Sequence, residues 1–496
     1  MLPVTEPNSH RRARGWRTRA ETWWACEGGL REVLLLSLPL VVSTMSWTIM
    51  NFIDRLLLLR YSTVSVAAAL PAGNLAFAVI CLPLGLAAYV NAFVSQYHGS
   101  RQNEKIGVAI WQAVGIGWLS FPLVVATIPL AGWFFAACGH PPAIAAEEAI
   151  YYRINCWGGA AIVVSAALSS FFTGRGKVRT VMTVDSTAAL VNVLLDYAWI
   201  YGHWGFPKWG IAGAAWATVV ALWLKMLLYF ALFLRPRYRR QFGTLSGCRF
   251  DPRVAWRLLR FGLPSGLQLM LEVSGFGAFL LLIGDLGELS MAATSLAFNV
   301  NNLAFMPVLG VGIATSTLVG QRMGQQRPDL AARATHTASV VAAGYMLALS
   351  AAYVFAPDVI LMAHWSMVEQ RDFPQLRELT IELLRFVAAY CLFDGMNVIF
   401  SAAIKGAGDT RFVMITTLVA SVIPVVLTWV GIRQFDLGIY WAWSVMTAWV
   451  TSLGFIYLWR YWQGKWRHMR VIEDPLTADS QAASAAAARP DEALSR

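Results

Sequence analysis

The stretch SLPLVVSTMSWTIMNFIDRLLLLR, residues 37–60, is apolar over the length of a membrane-spanning helix and carries one carboxylate, Asp54. A spanning helix needs about 20 mostly apolar residues, and a charge at bilayer depth costs about 2.5–3.5 kcal/mol. A related stretch, FGLPSGLQLMLEV at residues 261–273, again has a proline near its start and an acid, Glu272, near its end. The sequence therefore predicts an integral membrane protein with two related halves.

The overall composition indicates the same class. Of the 496 residues, 57% are hydrophobic and only 14% are charged, whereas a soluble domain carries about 25% charged residues. The net charge of +11 does not indicate nucleic-acid binding, because the basic residues fall in short clusters between apolar stretches. The six cysteines show no CxxC spacing, so we expect free thiols and neither a disulfide framework nor a metal centre.

Twelve stretches are long and apolar enough to span a bilayer. They lie at residues 33–59, 64–97, 106–134, 149–172, 180–201, 209–234, 254–283, 290–320, 336–357, 376–404, 411–432 and 437–462. We predict an all-α integral membrane protein in which twelve transmembrane helices form two pseudo-symmetric six-helix bundles. The predicted parts are a basic tail (1–30), a first bundle (31–234), a loop (235–253), a second bundle (254–463) and a disordered tail (464–496).

Lysine and arginine are concentrated in the loops that follow even-numbered helices. The loop between the bundles alone has eight arginines between residues 235 and 260. By the positive-inside rule, these loops and both termini are cytoplasmic, and we expect a multi-pass protein of a bacterial-type inner (plasma) membrane. The basic residues of the opposite loops are Arg60, Lys208, Arg371, Arg377 and Arg433.

Short matches relate the two halves along their length. With six spans each, both halves cross the membrane in the same direction, and such repeats are typical of secondary transporters whose substrate site lies between the halves. The glycine-rich turn at 174–177 lacks the spacing of a phosphate-binding loop, so an ion gradient or an unseen partner must drive transport. The matches include Pro39 with Pro264, Gln96 with Gln321, Gly99 with Gly324, and TGRG at 173–176 with KGAG at 405–408.

Four carboxylates stand out within the predicted spans, two in each half: Asp54, Asp196, Glu272 and Asp394. Asn192 lies four residues before Asp196, so the two share one helix face. An acid beside an amide can hold a proton or bind a small hard cation through oxygen. We expect Asp54, Asn192 and Asp196 to form one cluster, and Glu272 and Asp394 to face each other between helices 7 and 10. The alternative is that each acid is a structural partner in a buried ion pair or hydrogen-bond network.

At these residues the sequence resembles the multidrug and toxic compound extrusion (MATE) family, over roughly residues 30–463. The resemblance is carried by residues 37–60, VNVLLDYAWIYGHWGFPKWGIAGAAWAT (191–218), FGLPSGLQLMLEV (261–273), FNVNNLAFMPVLGVGIATSTLVGQRMG (298–324) and AYCLFDGMNVIFSAAIKGAGDT (389–410). The pair of Glu272 and Asp394 is similar to the NorM-type branch. Asn192 and Asp196 resemble the helix-5 pair of the DinF-type branch.

The resemblance implies that all five polar residues couple transport to a cation, with Na⁺ possible at Glu272 and Asp394 and H⁺ as the alternative. It also implies a substrate cavity, to which we assign Asn299, Asn302 and Tyr390. Two positions depart from the family pattern. Arg55 follows Asp54 where a small polar residue is usual, and Thr294-Ser295 replaces the His-Gln pair of many NorM-type members.

The function we expect is export of organic cations or drug-like compounds from the cytoplasm, by antiport against Na⁺ or H⁺. No catalytic residue, cofactor, nucleic acid or obligatory protein partner is predicted. One alternative is flipping of a lipid-linked oligosaccharide or another lipid, as in related exporters. That reading calls for basic side chains facing inward in both halves, where the sequence has mostly acids. A remote alternative is a membrane-embedded transferase, but the short outer loops hold no catalytic constellation.

Overall fold

The computed structural model describes residues 23–365 and 373–473, and within these ranges the chain is folded almost entirely into helices. Arg371 and most of the two tails lie outside the described residues. Twelve spans follow one another, and three of them consist of more than one helical segment. They are α1 (Leu30–Tyr61), α2 (Thr63–Ala88 and Val90–Gly99), α3 (Glu104–Val125, Ile128–Leu130 and Ala131–Ala137), α4 (Pro142–Cys156 and Gly159–Thr173), α5 (Val178–Tyr201), α6 (Ile211–Phe233), α7 (Pro252–Gly284), α8 (Glu288–Gly324), α9 (Pro328–Phe355), α10 (Phe373–Ala407), α11 (Thr410–Phe435) and α12 (Ile439–Trp462).

The predicted fold class is confirmed. Eleven of these helices are long and apolar enough to cross a membrane, and α4 makes a twelfth if its two segments, bent by 44°, are one span. The helices α1 to α6 pack mainly among themselves, and so do α7 to α12. We call these groups the first and second bundles.

Two spans begin earlier than their apolar stretches predict. Helix α4 begins at Pro142 and not at 149, and helix α9 begins at Pro328 and not at 336. Proline is favoured in the first turn of a helix, since its missing N–H has no partner there. The added turns carry charged residues, which a hydropathy reading assigns to the loops.

The bundles touch along the half of the molecule that contains the beginning of α1 and the end of α12, which we call the termini side. There α1 packs on α8, and α2 packs on both α7 and α8. The backbones of α2 and α8 approach closely, because each helix contributes a glycine to the contact. A Cβ on Gly99 would lie 2.0 Å from the carbonyl oxygen of Gln321, and one on Gly324 would lie 2.1 Å from that of Gln96. Only glycine fits at these two positions.

Polar bonds cross the same contact. Gln96 Nε2 donates to the carbonyl oxygen of Gly406 at 3.0 Å, and Gln321 Nε2 donates to that of Gly174 at 2.8 Å. Arg322 of α8 also forms an ion pair with Glu32 of α1, at 2.7 Å. These bonds hold the termini side closed.

The segment after α12 was predicted to be a disordered tail, but its first residues are folded. Its first residues form a short 3₁₀ helix, Lys465–His468, and Trp466 is only 1% exposed. The indole stacks on Tyr461 with ring centroids 5.0 Å apart. An alanine-rich end to the chain gave no sign of this packing, because the anchoring residues come before it.

Candidate ion and substrate sites

On the side away from the termini, no hydrogen bond or ion pair among the described residues joins the bundles beyond Thr44. The contacts between α1 and α8 reach as far as Thr44, whose hydroxyl donates to the Met306 carbonyl at 3.1 Å. Asn302 and Asn299 lie four and seven residues before Met306, so they are on the same face of α8. Both are exposed. We infer that the bundles are separated beyond this point, between α1, α2, α7 and α8, and we call this region the interbundle gap.

The first acid cluster is enclosed within the first bundle. Asp54 of α1 is 5% exposed and accepts a hydrogen bond from the Tyr151 hydroxyl at 3.2 Å. Asp196 and Asn192 of α5 are fully buried. With its amide turned to satisfy both of its polar atoms, Asn192 donates to Asp196 Oδ2 at 3.0 Å and accepts from the Thr218 backbone N–H at 3.2 Å. The carboxylates of Asp54 and Asp196 interact electrostatically.

One oxygen of each acid in this cluster remains without a partner. Asp54 Oδ1 and Asp196 Oδ1 are both buried and accept no hydrogen bond from the described residues. Arg55 is near enough to act on Asp54 electrostatically but forms no ion pair with it. Buried carboxylate oxygens are nearly always bonded, so this arrangement leaves two places for a proton or a small cation.

A second polar group in the first bundle was missed by sequence reasoning. Asp185 of α5 forms an ion pair with Lys225 of α6 at 2.9 Å and accepts a hydrogen bond from Tyr229 at 2.8 Å. The Ser43 hydroxyl of α1 also donates to Asp185. Here an acid inside the membrane does have the structural role that we considered for all of them. The signal was Lys225 itself, since a lysine inside a span needs an acidic partner.

The acid pair of the second bundle is more open. Glu272 of α7 is exposed, and its Oε1 accepts a hydrogen bond from Gln268 Nε2 at 2.8 Å. Asp394 of α10 is half-buried and accepts from Asn397 Nδ2 at 3.4 Å. The two carboxylates interact electrostatically. Neither takes part in an ion pair among the described residues.

The helix that carries Glu272 lies against the first bundle. A Cβ on Gly266 of α7 would lie 2.4 Å from the Leu82 carbonyl oxygen of α2. Cys81 of α2 and Lys405 of α10 both interact electrostatically with Glu272. The carboxylate therefore lies near residues of both bundles, and we infer that its exposed side faces the interbundle gap.

The residues assigned to the substrate cavity do not all lie there. Asn299 and Asn302 are exposed on the gap face of α8, but Tyr390 is 2% exposed and packs in the core of the second bundle. It is therefore unavailable to line the gap. Thr294 is also buried, and its hydroxyl accepts a hydrogen bond from Trp443 Nε1 at 3.3 Å. Tyr390 and Thr294 both belong to the core of the second bundle.

Solved structures with the same fold are transport proteins. One is an outward-facing multidrug resistance MATE family transporter of the MOP superfamily, which is 20% identical with a TM-score of 0.79 and covers 90% of this chain and 98% of its own. A second is a MOP superfamily transporter from Pyrococcus furiosus described as having a binding pocket of reverse polarity (20% identity, TM-score 0.78, 90% and 98% covered). A third is the eukaryotic MATE transporter AtDTX14 (15%, 0.77, 88% and 96%).

The family relationship rests on the sequence as well. The sequence model of the MatE family matches residues 39–198 and 264–430, one range in each bundle. The first range contains Asp54 and Asp196, and the second contains Glu272 and Asp394. Since the two ranges together cover well over half of its length, the chain belongs to the MatE family of membrane transporters.

Proposed function

We propose that this transporter exports small organic cations from the cytoplasm by antiport against Na⁺ or H⁺. The observation that supports the proposal is that Glu272, near residues of both bundles, is exposed and has no ion-pair partner among the described residues. A negative charge in a sheltered gap attracts cations and disfavours anions. Asp394 extends this negative region into the second bundle.

The movements of the coupling ion and the organic cation can be coupled simply because both compete for the negative charge of Glu272 and Asp394. A coupling ion or an organic cation at Glu272 and Asp394 relieves the repulsion between the carboxylates, and each excludes the other. If the two cations favour opposite conformations, the binding of one drives the release of the other. Proton or cation occupancy of Asp54 and Asp196 would then bias the conformation from within the first bundle.

Export of lipid-linked sugars receives less support from the same residues. A pyrophosphate group would need cationic side chains along the gap in both bundles. Lys225 is held by Asp185, and Lys405 lies within the field of Glu272. Acids therefore dominate the charges available to a substrate.

The proposal can be tested with everted membrane vesicles, with tetraphenylphosphonium added to the outside medium as the organic cation. A pH gradient and then a Na⁺ gradient would be imposed separately, so that the coupling ion is identified by which of them drives transport. We expect one gradient to drive uptake, and Glu272→Gln to abolish it. Transport that is the same with either gradient or none would contradict antiport.

The orientation belongs to the same proposal, and two native thiols can report it. Cys138 and Cys248 are both exposed, the first on the side away from the termini and the second on the termini side. With the termini in the cytoplasm, an impermeant thiol reagent added to intact cells should label Cys138 and not Cys248. The variants Cys138→Ser and Cys248→Ser assign the label. A labelled Cys248 would overturn the orientation.

A further inference from the structure

After the end of α12, the chain remains packed against the two bundles. It turns at Gly464, which has a positive φ of 70°, forms the short helix Lys465–His468 and leaves that helix through Met469, whose backbone is extended. We call residues 463–473 the clasp segment. It lies on the termini side, where the two bundles meet.

The first part of the clasp segment belongs to the second bundle. Trp466 packs in a small apolar cluster with Val319 and Met323 of α8 and Ala407 of α10. Its Nε1 donates to the Tyr461 carbonyl at 3.0 Å. This part is anchored to the bundle from which it emerges.

The last part reaches the first bundle. Val471 and Ile472 are buried in the large apolar cluster that includes Val94 of α2 and Ile106 of α3, together with Leu258 of α7. The Val471 N–H donates to Gln96 Oε1 at 2.9 Å. Since Gln96 Nε2 already bonds to α10, this one buried side chain connects α2, α10 and the clasp segment.

Glu473, the last described residue, forms ion pairs with both bundles. Glu473 forms one ion pair with Lys105 of α3 at 3.2 Å and another with Arg257 of α7 at 2.9 Å. Arg257 also donates a hydrogen bond to the Val471 carbonyl. The end of the segment is therefore held by both bundles at once.

The equivalent segment of the first half makes no such crossing. After α6 the chain forms the helix Pro236–Phe242, and the following turn packs on α3 of its own bundle. The Thr244 carbonyl accepts from Trp111 Nε1 at 2.7 Å, and the Arg249 carbonyl accepts from Gln112 at 2.8 Å. The crossing is thus specific to the end of α12 and does not follow from the repeat.

We infer that residues 463–473 act as a clasp that holds the termini side closed and favours this conformation over one open at that side. Separating the bundles there would split the apolar cluster that Val471 and Ile472 share with both bundles, and it would divide the two ion pairs of Glu473. A contact made in only one conformation shifts the population toward it. The inference rests on the proposed transport cycle, in which the termini side has to open.

The test is a distance measurement that needs neither substrate nor gradient. Spin labels at Arg179 and Arg411, exposed residues near the termini-side ends of α5 and α11, would report the separation of the bundles in the full chain in lipid nanodiscs. The background would lack the native cysteines. We expect mainly the short distance in the unmodified clasp, and a several-fold larger population of a longer distance in Val471→Asn.

Two further variants make the result decisive. Glu473→Gln keeps the apolar contacts and should shift the population in the same direction by less, and it replaces Val471→Asn if that variant does not fold. Lys465→Ala changes an exposed residue of the same segment and should leave the distances unchanged. Distances that match the unmodified protein in both clasp variants would overturn the inference. Because no transport is measured, a failure of the proposed antiport would not affect this result.

Discussion

The two bundles hold their acids in different surroundings. In the first bundle, Asp54 and Asp196 are buried beneath Tyr151 and Asn192, and each keeps one oxygen without a partner. In the second, Glu272 is exposed to the interbundle gap. An enclosed site suits a bare proton or a small dehydrated ion, whereas an open one also admits a bulky organic cation. The site of the second bundle can therefore take either the coupling ion or the substrate, whereas the site of the first bundle suits an ion alone.

The largest expected effect comes from removing both charges of the open site. Glu272→Gln with Asp394→Asn should reduce gradient-driven transport to background, because neither the ion nor the substrate keeps its negative partner. The measurement is tetraphenylphosphonium transport into everted vesicles. Glu288→Gln removes an exposed acid at the beginning of α8 and serves as the control. Normal gradient dependence in the double variant would remove this site from the mechanism.

The enclosed site is tested by Asp196→Asn, which keeps the shape and removes the charge. Transport should again fall to background, while the free energy of unfolding rises by about 1 kcal/mol, since a neutral amide costs less to bury than a carboxylate. Thermal unfolding in detergent and vesicle transport measure the two effects. A variant that transports normally, or one that is less stable, would contradict this view of Asp196.

A structural acid on the same helix should behave in the opposite way. Asp185→Asn leaves Lys225 without its partner and should lower the free energy of unfolding by about 1–3 kcal/mol. Adding Lys225→Met should restore most of that loss, because both charges are then absent. Thermal unfolding of the three variants provides the measurement. No loss of stability in Asp185→Asn would show that this ion pair does not support the fold.

The smallest effect is expected at Tyr151. Its hydroxyl donates to Asp54 Oδ2, so it competes with any cation for that oxygen. Tyr151→Phe should therefore lower the half-saturating concentration of the coupling ion by about two- to tenfold, as for the loss of one hydrogen bond of about 0.5–1.5 kcal/mol. Transport measured over a range of coupling-ion concentrations tests this. An unchanged or higher value would place the coupling ion elsewhere.

Much of the fold was accessible from the sequence, because the need to bury about 20 apolar residues per span leaves a clear hydropathy signal. Helix α5, for example, was expected at 180–201 and is found at Val178–Tyr201. The beginning of α4 was not accessible in the same way. Glu148 lies in its second turn, fully buried and paired with His140 at 2.9 Å, and burial of a charged residue leaves no hydropathy signal.

The candidate sites were accessible in part. Acids within spans can be recognised because they are costly there, and this identified Asp54, Asp196, Glu272 and Asp394. Whether such an acid is free or paired depends on contacts between distant residues. Asp185 and Lys225 are an example of a pair that periodicity does not reveal. Tyr390 shares a helix face with Asp394, but the depth of that face within the bundle is set by the packing of α10 against its neighbours.

The two glutamines that cross between the bundles have a consequence for the origin of the chain. Gln96 bonds to Gly406 and Gln321 bonds to Gly174, so the same contact occurs twice, with the halves exchanged. Such a doubled contact is what a two-fold symmetric homodimer forms, where each partner offers the same surface to the other. The interface of this single chain therefore has the form of a dimer of six-helix subunits. Both subunits cross the membrane in the same direction. The contacts that the segment after α12 makes with both bundles have no counterpart in that symmetry, and they mark one half as different from the other.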